Sequence, residues 1–223
     1  MLRPFEKAFT HENIKLHGWF MERVQEKCRK LIIYFGGNAE EVSYSFTEYQ
    51  KHTSCSLLFV NYRSYGKSEG KPSQDALFLD GLYLFDEILR QTNRSPKDVI
   101  LVGRSLGSGV ASYVASKRKI GGVILITPYD SLKNVASKRY FMFPLSILLK
   151  HPFNSVSYAE KITAPLLAII AAGDTVIPPP HSKSLYNAWK GSKKSFMIEG
   201  ANHQNVSNFD AYWDEINAFI SKL

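Results

Sequence analysis

Residues 98–117 read DVILVGRSLGSGVASYVASK. Five residues rich in Val, Ile and Leu are followed by Gly-Arg-Ser-Leu-Gly at 103–107, and then by a run of small residues at helical spacing. A short apolar run reads as a buried strand. The residues after it read as a helix small enough to pack closely beneath a sheet. A serine set between two glycines at the junction is the arrangement that exposes a hydroxyl on a sharp strand-to-helix turn. The flanking glycines are needed because side chains there would collide with the neighbouring strand and helix.

The same strand–helix alternation runs outward in both directions. Strands are expected at 30–35, 56–62, 98–103, 121–128, 165–173 and 194–200. Helices are expected at 39–53, 73–92 with Ser73 as N-cap, 105–117, 181–190 and 208–223. The strands are apolar throughout rather than alternating, as strands covered on both faces are. The class is therefore α/β, with a mostly parallel, doubly wound sheet and helices on both faces. Residues 5–24 read as one or two antiparallel edge strands. Residues 129–160, rich in Tyr, Phe and Pro, interrupt the alternation and are expected to form a short cap-like insertion within a single domain of residues 1–223.

Bulk properties narrow the function. The apolar runs, such as PLLAIIAA at 165–172, are too short to span a bilayer, and the start, MLRPFEKAFT, does not read as a signal peptide. Two cysteines, Cys28 and Cys55, exclude a disulfide-rich framework. They are expected as free thiols in a reducing, cytoplasmic setting. The net charge of +8 is spread over short clusters at 27–30, 116–122, 137–140 and 190–194. No basic stripe interleaved with aromatics is present, so no nucleic-acid groove is expected. The excess suits peripheral contact with acidic surfaces. No cofactor or metal is expected.

A second Gly-x-Ser-x-Gly stands at 66–70, GKSEG. Ser68 lies several residues beyond its strand, is followed at once by Lys-Pro-Ser, and has Glu69 beside it, which would oppose a developing oxyanion. A phosphate-binding loop ending in Gly-Lys-Ser would need Gly where Asn61 stands. Ser105 is therefore the candidate nucleophile. A serine hydroxyl needs a base and an orienting acid, which follow it in the order acid, then histidine. Of His151, His181 and His203, only His203 falls just after the last strand, at the ligand-binding edge of the sheet. Asp174, after the strand at 165–173, is the favoured acid, and Asp130, after the preceding strand, is its rival. The main-chain N–H groups of Leu106 and of Asn38, the latter in YFGGNAEE, are the candidate oxyanion donors.

These stretches, with KLHGWF at 15–20, NYRSYGKSEG at 61–70, GDTVIPP at 173–179 and GANHQN at 200–205, resemble the α/β-hydrolases. Within that superfamily they are similar to the small single-domain hydrolases that include protein depalmitoylating enzymes, and more distantly to the prolyl-oligopeptidase-like group. The resemblance runs from Ile14 to His203. It implies a Ser105–Asp174–His203 triad, an oxyanion hole at Asn38 and Leu106, and an ester, thioester or acylated substrate. A peptidase activity, or a non-catalytic binding role on the same fold, are the alternatives. Gly36 stands where that group usually has His, and Ser64 where Gly is usual. The cysteine-rich amino terminus that anchors the depalmitoylating relatives to membranes is not present in this sequence, so such anchoring is not implied.

Overall fold

The computed structural model describes residues 2–23, 28–138 and 152–223. The strands are β1 (Glu6–His11), β2 (Ile14–Met21), β3 (Leu31–Phe35), β4 (Ser56–Val60), β5 (Val99–Arg104), β6 (Gly122–Ile126), β7 (Leu166–Ala171) and β8 (Lys193–Ile198). They form one eight-stranded sheet in the order β1-β2-β4-β3-β5-β6-β7-β8. β1 pairs antiparallel with β2, and β2 antiparallel with β4. All pairings from β4 to β8 are parallel. The opening segment thus supplies two antiparallel strands, and the parallel remainder follows the expected alternation.

The helices that matter most here are α1 (Ser43–His52), α2 (Gln74–Thr92) and α3 (Leu106–Lys117). They are followed by α4 (Leu132–Lys138), α5 (Ser155–Ala159), α6 (Pro179–Ala188) and α7 (Asp210–Ile220). Ser73 caps α2 by accepting the Ala76 N–H at 3.1 Å, and Asn93 ends the helix in the left-handed region.

Every residue of β3 to β7 is buried apart from Arg104 at the end of β5. Because successive side chains point to opposite faces, β3 feeds two cores. Leu31, Ile33 and Phe35 pack with Leu84, Phe85 and Val110 of α2 and α3, whereas Ile32 and Tyr34 pack with Phe46 and Tyr49 of α1 and Tyr212 and Trp213 of α7. The unbroken apolar runs in the sequence are the trace of this double burial. The strand order reverses between β3 and β5, which opens a crevice at the carboxyl ends of those two strands.

The free thiols are a correction: Cys28 and Cys55 form a disulfide, with Cα atoms 5.2 Å apart, between the segment leading into β3 and the start of β4. β3 and β4 are neighbours, so the residues just before them converge, a proximity that sequence separation conceals. The thiol argument for a reducing compartment falls with it. The insertion at 129–160 lies partly outside the described residues; its flanks form α4 and α5, joined by a bridge between Ser131 and Asn154. Among the described residues no helix is long and apolar enough to cross a membrane.

Candidate active site

β5 ends at Arg104 and α3 begins at Leu106, leaving Ser105 alone on the bend at φ 50°, ψ −117°. A positive φ is strained for a residue with a Cβ and persists only where the surroundings over-determine it. Here the Ser105 N–H is held by the Ile126 carbonyl at 2.9 Å. α3 also presses so closely on β3 that a Cβ on Gly107 would lie 2.0 Å from the Phe35 carbonyl oxygen. Only glycine fits there, which accounts for the second glycine of the motif.

The bend aims Ser105 at the loop after β8. Ser105 Oγ lies 2.9 Å from His203 Nε2, and His203 Nδ1 lies 2.7 Å from Asp174 Oδ2. Asp174, in the loop after β7, is fixed in turn by the N–H groups of Val176 and Ile177, both donating to its other oxygen at 2.8 Å. All three side chains belong to buried residues. An ionised carboxylate only accepts, so Nδ1 carries the proton and Nε2 is left as the acceptor for the serine hydroxyl. That is the protonation pattern a general base requires.

The loop after β3 lies beside the serine: a Cβ on Gly37 would stand 3.7 Å from Ser105 Cβ. Tyr62 donates its hydroxyl to the Gly36 carbonyl at 3.1 Å, and Tyr65 donates to Asn38 Oδ1 at 2.9 Å. The Gly37 N–H is taken by Glu40 Oε2 at 2.6 Å. Among the described residues, the main-chain N–H groups of Asn38 and Leu106 donate to no protein acceptor. Gly36 has little room to spare, since a Cβ there would come within 2.8 Å of Val42 Cγ1. Ser64 occupies a left-handed position, φ 70°, where glycine would be unstrained.

The rival residues have other partners. Ser68 Oγ accepts the His17 N–H and donates to the Asn61 carbonyl, both at 2.9 Å, so it ties β2 to the loop after β4. Asp130 pairs with His181 Nδ1 at 2.9 Å and also accepts the Ser131 N–H and the Asn134 side-chain amide. A second buried histidine–aspartate pair therefore sits at the same sheet edge, joining the root of the insertion to α6. His151 lies outside the described residues. Among the described residues no group of three or more His, Cys, Asp or Glu side chains is placed to hold a metal ion.

Sequence reading missed four supporting residues: Tyr62 and Tyr65, which brace the loop after β3, and Glu40 and Arg104, which form an ion pair at 3.0 Å. Burial draws the Arg104 guanidinium down, but Tyr34 and Glu40 more than offset this and hold it above its ordinary value. Nothing in the local pattern marks these residues, because their partners come from other strands.

A mostly parallel sheet, a serine on a strained strand-to-helix bend, and an acid and a histidine brought to it from later loops place the protein in the α/β-hydrolase superfamily. Solved structures agree on the fold. An acetyl xylan esterase from Paenibacillus sp. R4 superposes with TM-score 0.81 at 15% identity, covering 97% of this chain and 83% of that one. The Pyrococcus furiosus esterase Pf2001 does so with TM-score 0.75 at 22% identity, covering 98% and 93%. A family profile described as Serine hydrolase matches residues 84–222, more than half of the chain, and the chain belongs to that family.

"Uncharacterized membrane protein YNL320W" of Saccharomyces cerevisiae is 29% identical over 97% of this chain and 80% of its own length. "Alpha/beta hydrolase domain-containing protein WAV2" of Arabidopsis thaliana is 24% identical over 96% and 77%. "Alpha/beta hydrolase domain-containing protein 17C" of Mus musculus is 26% identical over 92% of this chain, which spans 63% of that protein.

Proposed function

We propose that the protein hydrolyses carboxylic ester or thioester bonds through an acyl-enzyme on Ser105, with residues 1–223 acting as one hydrolase domain and 129–160 as its cap. The observation that carries this reading is the unbroken hydrogen-bond path from Ser105 Oγ through the His203 ring to Asp174. Ser105 Oγ bonds to the acyl carbon as His203 Nε2 takes its proton, and the carbonyl electrons move onto oxygen. The Asn38 and Leu106 N–H groups receive that oxyanion, while Asp174 stabilises the imidazolium. Collapse expels the alcohol or thiol, which takes the proton from Nε2. Water, deprotonated by the same nitrogen, then attacks the acyl-enzyme, and the acid leaves as Oγ recovers its proton.

No step calls for a cofactor. The preference for ester bonds draws support from the two structural neighbours described above, both named esterases. The net charge of +8 supports contact with acidic surfaces around an acylated substrate.

A fluorophosphonate probe tests the nucleophile, with the modified peptide located by mass spectrometry. A panel of p-nitrophenyl esters of graded chain length, acyl-CoA thioesters and aminoacyl amides tests the substrate class. Modification at Ser105 with turnover of esters or thioesters is expected. Labelling elsewhere, or turnover of amides alone, would overturn the reading.

A further inference from the structure

Three loops meet at the site: the one after β3, the bend after β5 and the one carrying His203. The triad hydrogen bonds join the second and third, and the loop after β3 lies outside them. Glu40 and Arg104 close that gap. Glu40 Oε2 accepts the Gly37 N–H at 2.6 Å and Arg104 Nη1 at 3.0 Å. Its Oε1 accepts the hydroxyls of Tyr34 at 2.9 Å and Ser45 at 2.6 Å. Arg104, the residue before Ser105, turns its Nη2 to the main-chain carbonyl of His203 at 3.2 Å.

We infer that the Glu40–Arg104 pair is a positioning device that holds the Asn38 N–H and the His203 ring in register with Ser105 Oγ. The inference rests on the hydrolytic role proposed for that site. Neither residue touches the reacting atoms. Glu40 fixes the Gly36–Gly37 peptide, one before the peptide that carries the Asn38 N–H, and its carboxylate saturates the Gly37 N–H so that the next amide is the one left free. Arg104 links that carboxylate to the backbone of the histidine loop through two nitrogens of one rigid plane. A lysine ammonium on a flexible stem is a single point and lacks that fork. A partly buried ion pair adds little net stability, whereas a displacement of about 1 Å at a reacting centre costs about 100-fold in rate. A pair built with five hydrogen bonds at this junction is better accounted for by placement than by stability.

The test uses the full chain, p-nitrophenyl acetate as substrate, fluorophosphonate labelling, and thermal melting of each variant. E40A removes both carboxylate oxygens, so the Gly37 N–H and the Arg104 guanidinium lose their shared acceptor together. The expected result is a kcat about 30- to 100-fold lower with KM within about threefold, Ser105 still the labelled residue and labelling slowed in parallel with kcat. R104K keeps the charge but spans only one of the two contacts, so a loss of about tenfold in kcat is expected. Assays are run well below the melting temperature of each variant, and R104K carries the test where E40A fails to fold. A kcat within about threefold of wild type in the folded variants, or a loss confined to KM, would overturn the inference while leaving the hydrolytic reading intact. Failure of the wild-type protein to label at Ser105 would overturn the reading, and the inference with it.

Discussion

His203 Nε2 stands 2.9 Å from Ser105 Oγ across 98 residues of sequence, and the same ring is anchored on its far side by Asp174. One imidazole thus spans the loops after β5, β7 and β8, and a change at any of the three is expected to have its own signature.

Ser105→Ala is expected to lower kcat for an activated ester by at least about 10⁴-fold and to abolish fluorophosphonate labelling, since removing the nucleophile leaves only the oxyanion donors and binding. Ser68→Ala is expected to keep labelling and turnover. It leaves the buried His17 N–H and Asn61 carbonyl without their partner, which costs about 1–3 kcal/mol of stability. Labelling of each variant and denaturant melts separate the two serines.

Asp174→Asn preserves shape but presents a donor to Nδ1, favouring the wrong tautomer, and about a 10⁴-fold loss in kcat is expected. Asp130→Asn disturbs the pair with His181 and is expected to act on the melting temperature, with kcat within about threefold of wild type, because Asp130 is engaged elsewhere. Equal losses of kcat in the two variants would contradict the assignment of Asp174 as the orienting acid.

The disulfide closes a loop with a sequence separation of 27. Chain-entropy arguments give a loop of that size about 3–4 kcal/mol of stabilisation. Alkylation of the unfolded, unreduced protein is expected to modify neither Cys28 nor Cys55, and both after reduction. The reduced protein, or Cys28→Ser, should melt at a lower denaturant concentration with a somewhat steeper slope, because the unfolded chain exposes more surface without the cross-link. Two thiols reactive before reduction would contradict the pairing.

Alkaline pH is expected to unfold the protein through its tyrosines. Burial pushes the hydroxyls of Tyr34, Tyr49, Tyr62, Tyr129 and Tyr212 well above their ordinary value, which is about 10. The fold holds each in its neutral form. Their contribution is therefore complete below pH about 10 and is lost as pH rises from there through the folded values. Near-ultraviolet phenolate absorbance should rise in two phases, exposed tyrosines first, the second phase coinciding with loss of the circular dichroism signal. A single phase complete before unfolding would contradict the burial.

Much of this protein is written locally. Strands covered on both faces must be apolar along their whole length, so β3 to β7 are visible as runs of Val, Ile and Leu, and Ser73 marks the start of α2 by the hydrogen bond it can make. The bend at Ser105 is legible because sterics demand glycine two residues later, and His203 because a residue after the last strand must lie at the ligand-binding edge. Partner choice is different. Asp130 and Asp174 both follow strands, and the packing of α6 and of the loop after β8 at the sheet edge decided which histidine each one meets. The Cys28–Cys55 bond, the tyrosines bracing the loop after β3 and the Glu40–Arg104 pair depend in the same way on which strands are neighbours. Local pattern reports what a segment must bury; which segments lie side by side is settled only when the whole sheet closes its core.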